Sequence, residues 1–252
     1  GVLGGGYVVS APGVGHERIG KRVMMIFPES GTGARVYPRP LVEFINSYYR
    51  EKGVTVIAAE TVKSVRTAGD KIIVITGNGT EISADGVVAG LGILPNTELA
   101  VQAGLAVDNG IVVDEQLRTS NPDIYAAGDV ANFHSAVMGK RVRVEHEDNA
   151  NVMGEMAGRN MAGQSDTYLH QPFFYSDLFD LGYEAVGELD ASLDIIEDWK
   201  EPFRKGVIYY LRDEQVRGVL LWNTWGQVAA ATQLIAEKVP HSHATLEGRI
   251  TD

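Results

Sequence analysis

The chain has 252 residues, 44% of them hydrophobic and 22% charged, with a formal net charge of −11 and no cysteine. That length can bury a full core in one large domain or two smaller ones, and the composition is that of a soluble globular protein. The acidic balance argues against a nucleic-acid backbone binder, the missing cysteines exclude disulfides, thiolate metal sites and C-x-x-C chemistry, and no apolar run is long enough to span a membrane. No signal peptide opens the chain, so it is expected in the cytosol unless Gly1 is not the original start. Any redox chemistry must belong to a bound cofactor.

The first residues, Val2 and Leu3, run into Gly4-Gly5-Gly6-Tyr7, the pattern of a strand feeding a phosphate-binding turn. Val23–Phe27 is a short apolar run of the buried parallel kind. Pro38 and Pro40 precede Leu41, Phe44, Ile45, Tyr48 and Tyr49, which predict an amphipathic helix closed at Gly53. Val54–Ala58 is the next strand, and Thr61–Arg66, Lys71–Thr76 and Glu81–Ser83 form an antiparallel meander. Asp85–Gly90 reads as a short buried strand that closes a small Rossmann-like unit.

From Pro95 to Gly139 the pattern is strand and loop, including a buried strand at Ile124–Ala127. Lys140, Arg141 and Arg143 read as a solvated basic cluster, and Glu145–Met161 as a helix with Ala150, Met153, Ala157 and Met161 on one side. Beyond Gly163, Tyr183–Leu189, Gly206–Leu211 and Val216–Trp222 are predicted strands, the last two a hairpin, and Trp225–Lys238 a helix. The polar tail from Pro240 is expected to fray.

Two features carry chemistry. Gly4 would permit a tight turn and Gly6 a close approach to a pyrophosphate, while Glu29, about 20 residues on, stands where an acid takes ribose hydroxyls. An acid there favours NAD over NADP, although a plain strand-to-helix turn would use the same residues. The second feature is Thr119–Asp129, which ends in Gly128-Asp129 and presents a carboxylate where α/β folds bind ligands; an Asp that caps the next turn is the alternative.

Thr119–Asp129 resembles the second flavin fingerprint of FAD-dependent pyridine-nucleotide oxidoreductases, and Gly90–Glu98 is similar to the linker that returns from their NAD domain to their FAD domain. Within that superfamily the likeness is to apoptosis-inducing factors. It is carried by Phe27-Pro-Glu29, Arg143-Val-Glu-His146, Phe174-Tyr-Ser-Asp177, Gly182–Gly187, Lys205–Asp213 and Gly218–Asn223. The resemblance implies an α/β Rossmann-like NAD(H)-binding domain with a β-meander over 1–94, the C-terminal part of an FAD-binding domain over 95–165, and a C-terminal α+β domain over 166–252. It implies that Asp129 bonds the ribityl chain of FAD and that Glu145 and His146 lie beside the flavin and nicotinamide rings. Phe174 would pack by the flavin, Tyr175 near the nicotinamide, and Glu184 would make a polar contact on that side. Gly92 would allow the backbone to approach the cofactor. Each has a structural alternative: His146, Phe174 and Tyr175 as core, Glu184 as a solvated strand carboxylate, Gly92 as a turn glycine.

The departures are as informative. Val9 stands where the family has glycine and Ala11 where it has glutamate, while Pro12-Gly13 and Gly15 break the expected first helix. The family's FAD domain also begins upstream with its own glycine fingerprint. The implied reading is part of an FAD-dependent NADH oxidoreductase that passes a hydride from NADH to flavin and on to an acceptor. The remaining FAD-domain half would be supplied in cis or in trans, in the cytoplasm or mitochondrion, with a homodimer possible in principle. The alternative is a non-catalytic NAD-sensing, dimerisation or docking module derived from such an enzyme.

Overall fold

The computed structural model describes residues 2–3 and 21–251, so Gly4–Tyr7 and the departures at Val9, Ala11, Pro12, Gly13 and Gly15 lie outside the described residues. Strands β1 (Val2–Leu3), β2 (Met24–Ile26), β3 (Thr55–Ile57) and β7 (Val88–Ala89) form a parallel sheet in the order β3-β2-β1-β7. Helix α1 (Arg39–Glu51) carries a proline in its first turn and buries Leu41, Val42, Ile45, Tyr48 and Tyr49. The meander is a separate three-stranded sheet of β4 (Val62–Ala68), β5 (Lys71–Thr76) and β6 (Glu81–Ala84). The expectation of a buried strand at Asp85–Gly90 is corrected: only Val88 and Ala89 are strand, and both are exposed, on the edge strand of the sheet where no described element covers them.

The middle segment holds α2 (Glu98–Gln102), β8 (Ile111–Val112), a 3-10 turn at Gly128–Val130, β9 (Ala131–Ser135), β10 (Lys140–Val142) and α3 (Glu147–Met161). Val113, Leu117, Phe133, Met153, Met156, Ala157 and Tyr168 form its core. Helix α2 stands where strand and loop were expected. The predicted strand at Ile124–Ala127 is also corrected, since the chain there makes only an isolated bridge between Tyr125 and Arg118. Its hydrogen bonds are taken locally instead: Thr119 N–H donates to the Ile124 carbonyl at 2.9 Å and Asn121 N–H to the Thr119 hydroxyl at 3.2 Å. Met161, expected on the buried side of α3, is 67% exposed because the helix ends there, past the core. The basic cluster is structural rather than merely solvated. Lys140 pairs with Glu188 at 2.7 Å, and Arg141 donates to the Asn132 and Val113 carbonyls at 2.9 and 3.1 Å.

Strands β11 (Phe173–Leu178), β12 (Leu181–Gly187), β13 (Asp194–Glu201), β14 (Lys205–Arg212) and β15 (Gln215–Trp222) form an antiparallel sheet in the order β11-β12-β15-β14-β13. One face, with Val186, Val207, Tyr209, Leu211, Val219 and Leu221, is covered by α4 (Val228–Glu237) and α5 (His243–Leu246). The tail from Pro240 therefore does not fray: α5 is capped by Ser242 and Thr245, Leu246 and Ile250 are buried, and Gly248 N–H donates to Asp198 at 2.8 Å.

The other face presents Tyr183, Ala185, Ile208, Tyr210, Leu220 and Trp222, alternating along the strands with the first set. It packs against Leu41, Ile45, Tyr48 and Tyr49 of α1 and Met25 and Phe27 of the parallel sheet, in a single hydrophobic core. Because both faces are covered, β14 and β15 contain continuous apolar runs, over residues 207–211 and 219–222. Asp180, in the β11–β12 turn, closes one rim of this contact. It accepts from the Tyr48 hydroxyl, pairs with Lys52 at 2.8 Å and faces Arg204 at 3.7 Å.

Candidate functional site

The β11–β12 hairpin carries Phe174 on the face turned toward α1 and the directly paired Tyr175 and Glu184 on its opposite face. Tyr175 is exposed, and the Glu184 carboxylate accepts the Gly226 N–H at 2.8 Å, which fixes its direction. A second segment meets the hairpin here. Glu145 and His146 immediately precede α3, and His146, at the cap position, has an extended backbone. Its imidazole stacks on the Phe174 ring, with centroids 4.6 Å apart and planes at 26°. Burial lowers the His146 pKa against the raising influence of Glu145, so the ring is held neutral at physiological pH.

Gly128 and Asp129 reach the same neighbourhood from below α3. Gly128 has φ +75, and a Cβ there would touch Ala150 in the first turn of the helix at 3.5 Å. This position therefore favours glycine for its left-handed backbone turn, since contact with Ala150 at that distance would be ordinary packing. Arg143 links the pieces: it donates to the Asp129 carbonyl at 3.0 Å and pairs with Glu145 at 2.6 Å. The Asp129 side chain is left exposed.

Two residues that the motifs did not single out anchor this arrangement. Asp148, second in α3, meets His170 Nε2 at 2.5 Å and accepts the Phe173 N–H at 3.3 Å. The start of the helix is thus tied to the start of β11, one residue from Phe174. Nothing in either residue's local sequence marks the pair, which forms across 22 positions.

The structure thus brings together Gly128, Asp129, Glu145, His146 and Phe174, whereas Tyr175 and Glu184 project from the opposite face of the β11–β12 hairpin. Glu29 has a different neighbourhood, just beyond β2, where its carboxylate is paired with Arg35 at 2.7 Å. Gly92 has φ +89, which calls for glycine, and a Cβ there would meet no described atom within 4 Å. It sits in an extended linker whose Leu91 and Leu94 are 76% and 90% exposed. Among the described residues no group of three or more acidic and histidine side chains could hold a metal, and no helix is long and apolar enough to cross a membrane.

Residues 1–154 match the family described as pyridine nucleotide-disulphide oxidoreductase, and residues 157–201 and 196–237 match the C-terminal region of mitochondrion-associated apoptosis-inducing factor. The chain belongs to the pyridine nucleotide-disulphide oxidoreductase family. It is 35% identical to apoptosis-inducing factor 1, mitochondrial, of Dictyostelium discoideum, over 94% of this chain and 48% of that protein. It is 31% identical to putidaredoxin reductase CamA of Pseudomonas putida, over 95% of this chain and 57% of that one. The crystal structure of a covalent putidaredoxin reductase–putidaredoxin complex superposes with a TM-score of 0.86 at 32% identity, covering 95% of this chain and 58% of that chain. The chain therefore spans about half the length of the relatives it matches.

Proposed function

We propose that this chain supplies the nicotinamide-nucleotide lobe (1–94), the C-terminal part of the flavin domain (95–165) and the C-terminal α+β domain (166–252) of an FAD-dependent NADH oxidoreductase. The observation that carries the reading is the His146–Phe174 stack at the start of α3, beside the Gly128–Asp129 turn. These residues fit one wall of a flavin site: a flat, partly apolar surface, a neutral imidazole and an outward-facing carboxylate. The exposed leucines of the 90–96 linker supply apolar surface that the remaining half of a full-length relative would cover.

Flavin and nicotinamide, when bound, supply the hydride chemistry. The chain's own residues bind and orient. Asp129 would accept hydrogen bonds from ribityl hydroxyls, and Phe174 and Tyr175 would exclude water from the ring edges. Glu184, aimed by the Gly226 N–H, would accept from the carboxamide of the nicotinamide. Glu29 would exchange Arg35 for ribose hydroxyls. The electron acceptor is a ferredoxin-type protein, a reading supported by the names of the reductase relatives. The Glu29–Arg35 pair is also the observation that favours the non-catalytic module, because an acid already neutralised is not waiting for a ribose.

Trp225 provides the test. It is half exposed, and its ring lies over Gly182, beside the Tyr175–Glu184 pair. NADH titration should quench tryptophan emission, and Trp225→Phe should abolish most of the change. No quenching at millimolar NADH would refute nucleotide binding at this hairpin. The isolated chain should purify without FAD, and a flavin absorption band in it would overturn the half-site assignment.

A further inference from the structure

One transverse row of the C-terminal sheet has an unusual composition. Ser176 on β11 pairs with Tyr183 on β12, Tyr183 with Trp222 on β15, Trp222 with Gly206 on β14, and Gly206 with Trp199 on β13. Directly paired residues project to the same side of a sheet, so Tyr183, Trp222 and Trp199 share the face turned toward α1. The Tyr183 and Trp222 rings lie parallel, with planes at 10° and centroids 5.9 Å apart. Gly206 leaves the gap into which Trp199 leans, since a Cβ there would stand 2.8 Å from Trp199 Cε3. Phe203 spans the same gap, its ring 5.5 Å from that of Trp199 and its carbonyl accepting Trp222 Nε1–H at 3.0 Å. At the inner end, Tyr183 meets Phe174 edge-on at 6.0 Å, and Phe174 stacks on His146. The outer end, β13, is the edge of the sheet.

The two indoles differ in one chemical respect. Trp222 is fully buried, and its N–H is held by a peptide carbonyl, which is not a base. Trp199 is partly exposed, and its N–H is held by the Glu197 carboxylate at 2.7 Å. An indole that loses an electron becomes a strongly acidic radical cation. Oxidation is therefore easier where a base is already in hydrogen-bond contact with the acidic proton, and the gradient runs from Trp222 out to Trp199.

We propose that the Tyr183–Trp222–Trp199 row carries oxidising equivalents from the site to the edge of the sheet. This rests on the flavin-facing reading only for where the oxidant arises. A one-electron oxidant of the activated-oxygen class, formed at the site, takes an electron from Trp222 through the Phe174–Tyr183 contact. The Trp222 radical cation then takes an electron from Trp199 and is restored. The Trp199 Nε1 proton passes to Glu197 Oε2, which leaves a neutral indolyl radical beside a protonated carboxyl group. A solvent reductant of the ascorbate or thiol class returns one electron, and Glu197 returns the proton. The net change is one electron moved from that reductant to the oxidant, with no side chain consumed.

The test needs no flavin. The chain has no cysteine and three tryptophans, so Tyr175→Cys gives a unique attachment point for a ruthenium polypyridyl photo-oxidant. Trp225→Phe removes the tryptophan beside it. Flash-quench oxidation of this 252-residue chain should give a long-lived neutral indolyl radical. Adding Trp199→Phe should abolish it, and adding Glu197→Gln, which keeps the side chain's size, should replace it with the protonated radical cation. The Glu197→Gln arm keeps the test intact if Trp199→Phe disturbs folding. The same neutral radical in either variant, or no indolyl radical in the parent, would overturn the proposal.

Discussion

Gly187 ends β12 with φ +82, and a Cβ there would run into the carbonyl oxygen of Arg217. Gly187→Ala should therefore destabilise the chain by about 1–3 kcal/mol through overpacking, plus roughly 1 kcal/mol for the left-handed backbone. A lowered urea midpoint with an unchanged slope would register it. Asp180 makes a pH-dependent prediction. Its pKa is lowered to about 2, first by the hydrogen bond from Lys52 and then by that from Tyr48. A carboxylate depressed in the folded state stabilises above its unfolded pKa, and that contribution is lost as pH falls through the folded value. Because Asp180 is largely exposed, solvent screening limits the effect to about 1 kcal/mol or less. Asp180→Asn should lower the urea midpoint slightly at neutral pH, and the difference from the parent chain should vanish between about pH 4 and about pH 2. An equal difference at both ends of that window would rule the clamp out.

At the scale of the element, α3 separates two methionines that lie on one stripe of the sequence. Met153 is fully buried and Met161 largely exposed. Met153→Ala should cost about 2–5 kcal/mol, whereas Met161→Ala should stay within about 0.5 kcal/mol, as thermal unfolding of the two variants would show. The helical period identified the stripe but could not say where the core beneath it stops. The same distinction separates what was legible elsewhere. Helix α1, the meander and the β14–β15 hairpin carry their own signals: a proline start, glycine turns and unbroken apolar runs. Strand β13, Asp-Ile-Ile-Glu-Asp-Trp-Lys-Glu, carries almost none, and its strand character comes from pairing with β14. Ile124–Ala127 erred the other way, an apolar run whose backbone is claimed by its own turn. In the site, Gly128, Asp129 and His146 stand out within short strings. Asp148 and His170 do not, because their meaning is a contact between the start of α3 and the start of β11.

For the whole molecule, the decisive feature is the core shared by α1 and the inner face of the C-terminal sheet. Residues 166–252 alone would present Tyr183, Ile208, Leu220 and Trp222 to water. That fragment should bind a hydrophobic dye strongly and the full chain weakly; equal dye binding would show that the sheet does not depend on α1. In the full chain, Leu41→Ala should cost about 2–5 kcal/mol and should shift tryptophan fluorescence and far-UV circular dichroism together.

The same contact sets a timetable for biosynthesis. Tyr48 and Asp180, which meet across it, are 132 residues apart in the chain. At roughly 5–20 residues per second, α1 leaves the ribosome about 7–26 s before the turn that will cover it is made. Throughout that interval the part of its apolar stripe that the C-terminal sheet will cover has no permanent partner, and a holding chaperone or a slowed ribosome would decide how many nascent chains reach the folded state.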